Sequence, residues 1–339
     1  MLQALMTQPG KIKFHEIAKP KPGKGEILLQ IKRIGICGSD IHVYYGKHPF
    51  TKYPIVQGHE YCGIVEAVGE EVENMKPKTL ATARPQLVCG ECSPCRRGDY
   101  NVCEKLKVQG FQANGCAQEF FIVPKDRIVP LPDPITPDQG ALVEPAAVGA
   151  HSTARAGELK GKNIVVLGAG TIGNMVAQFV RARGAKNILI TDLSDYRLQI
   201  AQKCGIKNTS NAKKESLVDA TKRVFGKEGF QVAFEAVGAE QTIADAIRNI
   251  EKGGKIVVLG VFEKKPQIDM SIVGEHEISL IGTLMYKHED YIEAAKMISE
   301  GEIITEPLVT KHFPFNQYID AYKYIEKQAD KTMKVMIDL

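Results

Sequence analysis

The rhythm of hydrophobic and polar positions changes part-way along this chain. Up to about residue 144, apolar residues fall in short β-like runs broken by Gly and Pro. Residues 3–7 and 11–17 flank Pro9-Gly10 as the arms of a hairpin, and 26–34 reads as a longer strand. From about residue 160 the pattern becomes apolar strand, helix, apolar strand, repeated. The strand runs are 163–167, 187–191, 232–235, 255–259 and 279–282, with helix-period segments between most of them. That alternation predicts a parallel α/β sheet. Beyond it, Tyr291, Ala294, Ala295 and Ile298 share one helical face, and Tyr318, Ala321, Tyr322 and Ile325 share another. The run 335–339 is strand-like. No internal repeat or low-complexity tract interrupts the pattern.

The length of 339 residues suits two domains, each able to bury its own core. Hydrophobic content of 44% and charged content of 25% are those of an ordinary soluble globular protein. A net charge of +4 is too mild to imply nucleic acid or a membrane surface. The first ten residues lack a basic segment followed by an apolar one, and no apolar run reaches the ~18 residues that would span a bilayer. A cytoplasmic protein with reduced thiols is therefore expected. Of the eight cysteines, only Cys204 lies beyond Glu144, which again marks a boundary.

Four of those cysteines stand as Cys89-x2-Cys92-x2-Cys95-x7-Cys103. Tight Cys-x2-Cys steps let one loop wrap a tetrahedral Zn2+ in four thiolates. Arg96, Arg97, Lys105 and Lys107 surround the cluster and offset its negative charge. An iron–sulfur run of the ferredoxin type would close with a shorter last spacing and a proline, whereas Glu104 follows here. A redox Cys-x2-Cys pair would leave two sulfurs unexplained. Disulfides suit small secreted chains. Structural zinc is the expectation.

The segment Ile164-Val165-Val166-Leu167-Gly168-Ala169-Gly170-Thr171-Ile172-Gly173 is an apolar strand entering Gly-x-Gly-x-x-Gly, and Met175, Val176, Phe179 and Val180 form a helical stripe behind it. Glycines there permit a tight turn and let the backbone approach a pyrophosphate at the helix N-terminus. The next strand ends at Asp192, placed to hydrogen-bond the adenosine ribose. A carboxylate there repels a 2′-phosphate, so NAD is favoured over NADP, although Arg197 could blunt the preference.

Cys37, His59, Glu60 and Glu144 remain as potential ligands of a second metal, one with an open position for chemistry. Each also has a plain structural reading: Cys37 as core, His59 as a packed histidine, Glu144 as a charge at a helix N-terminus. The motifs taken together go further. Ile36-Cys37-Gly38-Ser39-Asp40-Ile41-His42, Gly58-His59-Glu60, the four-cysteine lobe, Ala141-Leu142-Val143-Glu144-Pro145 and the glycine turn occur in that order. Over essentially its whole length the chain resembles the zinc-dependent medium-chain alcohol dehydrogenases, and most of all their sorbitol (polyol) branch.

The resemblance implies an α/β architecture, a GroES-like β-rich catalytic domain (1–147 and 287–339) interrupted by a Rossmann domain (148–286). Cys37 and His59 then resemble ligands of the catalytic zinc. Glu60 and Glu144 resemble two acids that bind the ion directly or through its water. Ser39 and His42 match positions that relay the alcohol proton to solvent. Thr171, Ile172, Val237, Leu259, Gly260, Val261 and Thr283 join Gly168, Gly170, Gly173, Asp192 and Arg197 as expected cofactor contacts. Tyr44, Phe50, Glu144, Met285, Tyr286 and Lys287 are expected around the substrate, with Lys47 and His48 near the mouth of its site. Two departures from the family pattern are Lys76-Pro77-Lys78-Thr79 before the zinc lobe and Val43 after the relay histidine.

The expected activity is hydride transfer between a polyol's secondary alcohol and NAD, with two zinc ions per chain. Sugar acids, polyol phosphates, 2,3-butanediol and L-threonine are alternative substrates. The threonine branch usually has Thr at the position of Ser39 and a tryptophan soon after the relay histidine, and this chain has no Trp. A non-catalytic zinc and dinucleotide binder is a further reading. The resemblance also implies a homo-oligomer, a tetramer ahead of a dimer, paired through the apolar edge strand around Leu280.

Overall fold

The computed structural model describes residues 1–339. They divide into two compact units, one of Met1–Glu144, Lys287–Ser299 and Val309–Leu339, the other of Pro145–Tyr286 and Glu300–Leu308. None of the helices is long and apolar enough to cross a membrane.

The first unit is built on a seven-stranded sheet. Its order runs Ile128–Pro130, Leu80–Ala83, Glu60–Val68, Glu26–Ile36, Lys334–Asp338, Val309–Pro314, and Phe120–Pro124 also pairs with Glu26–Ile36. The Glu26–Ile36 strand is mostly buried, as its near-continuous apolar run Ile27-Leu28-Leu29 and Ile34-Gly35-Ile36 requires. The hairpin Leu2–Gln8 and Lys11–Glu16 forms a second, small sheet with Ile55–Val56. The helix Tyr318–Gln328 turns Tyr318, Ala321 and Tyr322 inward, and His288–Ser299 buries Tyr291, Ala294, Ala295 and Ile298. Those are the two faces the apolar spacing predicted. The last strand, Lys334–Asp338, pairs antiparallel with Glu26–Ile36, which brings the end of the chain beside residues near its beginning.

The second unit is a six-stranded parallel sheet. Its strand order is Asn208–Asn211, Asn187–Asp192, Asn163–Leu167, Val232–Glu235, Lys255–Val258, Ser279–Gly282, which in sequence terms is 3-2-1-4-5-6, the doubly wound Rossmann order. Alternation within each strand divides the core between its two faces. Ile164, Val166, Ile190, Val232, Phe234 and Val257 lie on one; Val165, Leu167, Leu189, Ala233 and Ile256 lie on the other. The short run Glu300–Leu308 also belongs to this unit. Two side chains tie it there: the amide of buried Gln178 bonds both the N–H and the C=O of Ile304, at 2.6 and 3.0 Å, and Arg181 donates to the Glu302 carbonyl at 2.6 Å.

Candidate active site and metal centres

Cys37 is the N-cap of the helix Gly38–Tyr44. Its backbone N–H donates to Asp40 Oδ2 at 2.9 Å, a reciprocal cap that fixes where the thiol stands. Ser39 Oγ lies 3.1 Å from Cys37 Sγ, and His42, in the last turn of the same helix, is exposed. The other oxygen of Asp40 faces His59 Nδ1 at 3.5 Å, with both side chains buried. One carboxylate thus caps Cys37 and faces His59, residues from different parts of the chain. The ligand atoms of Cys37, His59 and Glu60 all lie within 4.8 Å of one another.

Glu60 owes its place to a glycine. Gly35 pairs with Glu60 on one side and with Met336 on the other. A Cβ on Gly35 would stand 2.4 Å from Glu60 Oε2 and 3.2 Å from Lys334 Cδ. In the space that the missing side chain leaves, Lys334 Nζ donates to Glu60 Oε1 and Oε2 at 2.7 and 2.5 Å and to the carbonyl of Ile36 at 3.2 Å. Both partners are almost fully buried. Burial works against the Lys334 ammonium, but Glu60 and then Cys37 outweigh it and hold its pKa above the usual 10.5. Burial also opposes the imidazolium of His59, yet Asp40 and then Cys37 raise its pKa well above 6.5. Asp40 and Cys37 around His59, and Glu60 facing Lys334, make this a pocket in which positive charge is favoured. A sulfur, an imidazole and a carboxylate concentrated so closely are the donor set that Zn2+ prefers. The residues fit the ion.

Glu144 lies inside the helix Pro137–Ala156, directly before Pro145, rather than at its start. It is buried, stands outside the close group of three, and raises the pKa of Lys334. Among the other expected substrate contacts, Phe50 is 70% exposed. Tyr44 is stacked on Tyr322 with ring centroids 4.5 Å apart. Tyr286 is fully buried, and Lys287 pairs with Asp99 at 3.0 Å.

Cys89, Cys92, Cys95 and Cys103 converge. Sulfur separations of 3.5 Å (Cys89–Cys103), 3.9 Å (Cys92–Cys103) and 4.0 Å (Cys89–Cys95) bracket the ~3.8 Å edge of a tetrahedron with Zn–S bonds of about 2.3 Å. The N–H groups of Cys89 and Lys105 point at Cys103 Sγ, each at 3.3 Å, and that of Cys92 points at Cys89 Sγ at 3.4 Å. The backbone N–H of Glu104 leads in pulling the Cys92 thiol down to about 6, which favours the thiolate a metal needs.

In the second unit the three turn glycines have different tasks. Gly168 takes φ +101°, a value open to few other residues. Gly170, the N-cap of the helix Thr171–Ala182, has no atom within 4 Å of the position a Cβ would take, so space is left for a ligand over the free helix N–H groups. At Gly173 a Cβ would meet the Gly168 carbonyl oxygen at 1.8 Å, so strand and helix can pack closely only with glycine. Asp192 accepts from Ala169 N–H at 2.8 Å and Ser194 N–H at 2.9 Å, which holds its carboxylate against the turn. Arg197 Nε and Thr283 Oγ1 are buried without a hydrogen-bond partner. Val237 and Val261 are 49% and 87% exposed at the ends of strands, where an apolar ring could be covered, and Leu259 and Gly260 are half-buried beside them. A pyrophosphate-bearing dinucleotide fits this cradle.

Four supporting residues escaped sequence reasoning. Asp40 lies inside a quoted motif, but its double contact needs the fold. Lys334 and Gly35 are joined to Glu60 only by strand pairing. Fully buried Glu235 accepts from the N–H groups of Val237 and Gly238 at 3.0 and 2.9 Å and from Thr242 Oγ1 at 2.7 Å, which fixes the loop carrying Val237. An acid closing the apolar run Val232–Glu235 was the available signal.

Comparison with known proteins agrees with this geometry. Residues 23–133 match the alcohol dehydrogenase GroES-like domain, and 171–300 match the zinc-binding dehydrogenase domain. L-threonine 3-dehydrogenase of Legionella pneumophila is 32% identical over 321 residues, 93% of each chain. Sorbitol dehydrogenase of Bacillus subtilis is 28% identical over 343 residues, 99% of this chain and 97% of the relative. The crystal structure of an alcohol dehydrogenase (rspB) of E. coli CFT073, complexed with NADH, superimposes with a TM-score of 0.93 at 27% identity, covering 100% of this chain and 99% of that one. The chain belongs to the zinc-dependent medium-chain alcohol dehydrogenase family. It is an oxidoreductase acting on CH–OH groups, with zinc and a nicotinamide dinucleotide as its cofactors.

Proposed function

We propose that this enzyme oxidises a secondary alcohol of a polyol to a ketone with NAD, reversibly. The observation that carries the reading is the close group of Cys37, His59 and Glu60, in which one acid joins a thiolate and an imidazole. Zinc bound there supplies a Lewis acid that makes the alcohol a better proton donor, and bound NAD accepts the hydride. The protein orients and moves the proton. Asp40 keeps His59 and Cys37 in place. Ser39, next to Cys37, would accept the hydroxyl proton as it releases its own, and exposed His42 would deliver a proton to water at the end of the relay. Glu60 and Glu144 lower the net positive charge around the ion, which favours exchange of water for a hydroxylated substrate. A polyol is preferred over L-threonine because Ser39 stands where the threonine branch usually has Thr and because the chain lacks Trp.

Asp192 supports NAD over NADP: its carboxylate is held against the glycine turn, and at the ribose it would repel a 2′-phosphate. The Ser279–Gly282 strand ends the parallel sheet without a further partner in the chain, and an exposed edge of this kind favours pairing with a second copy. We therefore include a homo-oligomer, a tetramer ahead of a dimer, in the proposal. Rates of reduced-nicotinamide formation across a panel of polyols and L-threonine, each with NAD and NADP, test the reading. Polyol turnover with NAD is expected. Turnover of L-threonine alone, or of nothing, would overturn it.

A further inference from the structure

The candidate zinc ligands of the first unit stand on two pieces of backbone that are held unequally. The approach to His59 is firmly tied. Gly115 N–H donates to the Val56 carbonyl at 2.7 Å, Ala117 N–H to that of Gln57 at 2.9 Å and Cys116 N–H to that of Gly58 at 3.1 Å. The two segments lie so close that a Cβ on Gly115 would stand 2.2 Å from the Gly58 oxygen. Cys37, by contrast, caps a helix of only seven residues, Gly38–Tyr44, far too short to keep its shape alone. Its place must come from packing.

Gln57 joins the two pieces. Its side chain is buried, and Nε2 donates to the Asp40 carbonyl at 3.1 Å, three residues from Cys37. Its Oε1 accepts from the Tyr322 hydroxyl at 2.8 Å, so the amide is fixed at both ends. Tyr322, on the helix Tyr318–Gln328, meets the short helix a second time. Its ring lies flat on Tyr44, with centroids 4.5 Å apart and planes 8° from parallel. Tyr318 packs against the same ring at 5.8 Å. The Tyr53 hydroxyl, donating to the Val43 carbonyl, holds the end of the short helix farther from Cys37.

Resting on the reading of Cys37, His59 and Glu60 as a zinc site, we infer that Tyr322 is a positioning residue for that site. Through Gln57 its hydroxyl sets where Asp40, and with it the Cys37 thiol, stands relative to His59. Asp40 caps Cys37 and faces His59, so a shift of its backbone disturbs both contacts together. Without the hydroxyl, the Gln57 amide is free to turn and the short helix samples several orientations. Only a fraction of the molecules then hold Cys37 within reach of the ion, and apparent zinc affinity falls by that fraction. The ring supplies packing and the hydroxyl supplies position.

The test reads zinc affinity rather than turnover. The zinc-loaded protein is titrated with a chromophoric chelator, and Cys37→Ser shows which ion belongs to the candidate site. Tyr322→Phe keeps the ring and its stack on Tyr44. It should weaken that ion by about two- to tenfold, the worth of one buried hydrogen bond, and leave the four-cysteine ion unchanged. A second variant separates positioning from stability. Tyr322→Phe/Gln57→Leu removes both buried partners, so its zinc-free denaturation midpoint should return toward that of the parent. Its zinc affinity should stay as low as that of the single variant, because the Asp40 carbonyl still lacks its tie. Unchanged affinity in Tyr322→Phe, or affinity that follows the midpoint through both variants, would overturn the inference and leave the zinc site standing. A parent that yields one zinc per chain would overturn both.

Discussion

Glu60 shows how much a single residue depends on its neighbours. A carboxylate with almost no exposure survives only because Lys334 faces it and Gly35 leaves room for both. Replacing Lys334 by Met removes the counter-charge and leaves a buried acid unpaired, which costs about 3–5 kcal/mol when a buried pair is broken. The zinc-free protein should show that loss in denaturant unfolding, and added zinc should recover part of it by taking over the charge. An unchanged midpoint would mean that Glu60 is not held by this pair. Asp40 makes a second prediction. Asn at this position can still cap Cys37 through its carbonyl, but it no longer places a carboxylate on His59. Loss of such a partner typically weakens metal binding by about 10–100-fold. Competition with a chelator should show this for one zinc per chain and spare the four-cysteine site. For the cofactor, Asp192→Gly should lower kcat/KM with NAD and shift the NAD/NADP ratio toward NADP. An unchanged ratio would place Asp192 away from the ribose.

At the scale of elements, the third strand of the parallel sheet, Asn208–Asn211, is polar throughout. Side chains from the next segment secure it instead of apolar packing. Ser210 Oγ donates to Glu215 Oε2 at 2.7 Å, and Arg223 donates to Glu215 through Nε at 2.8 Å and to the Thr209 carbonyl at 3.3 Å. Arg223 and then Ser210 pull the Glu215 pKa from 4.5 down to about 2. A depressed folded-state pKa stabilises the fold above the unfolded value and loses that contribution as pH falls through the folded one. Glu215→Gln should therefore lower stability near neutral pH by about 1–2 kcal/mol, the worth of a partly exposed charged hydrogen bond. The difference from the parent should fade between pH 4.5 and about 2. A gap that stays constant over this window would assign the effect to packing.

For the whole molecule, the open edge at Ser279–Gly282 makes the assembly testable. Leu280→Pro deletes a backbone donor where a partner strand would continue the sheet. Light scattering should then report mass close to the 37.3 kDa of one chain for the variant and a multiple of it for the parent. A parent that already scatters as a single chain would remove the oligomer from the proposal.

The sequence alone determined whatever depends on spacing along the chain. Four cysteines within fifteen residues can close on one ion without help from the rest of the fold, and their separations match a tetrahedron. The glycine turn, five strands of the parallel sheet and both late helical faces were likewise legible, because each is set by local periodicity and backbone freedom. Asn208–Asn211 was not legible, since a polar tetrapeptide carries no apolar rhythm. Nor did the sequence reveal that Glu300–Leu308 packs with the parallel sheet, a placement held by the side chains of Gln178 and Arg181. The candidate metal group was decided by tertiary structure in the strict sense. Cys37 comes from a helix start, His59 and Glu60 from a strand entrance, Lys334 from the final strand, and only sheet register brings them within bonding reach. No spacing rule predicts register between strands that lie hundreds of residues apart, because it is fixed by which side chains the whole core can bury.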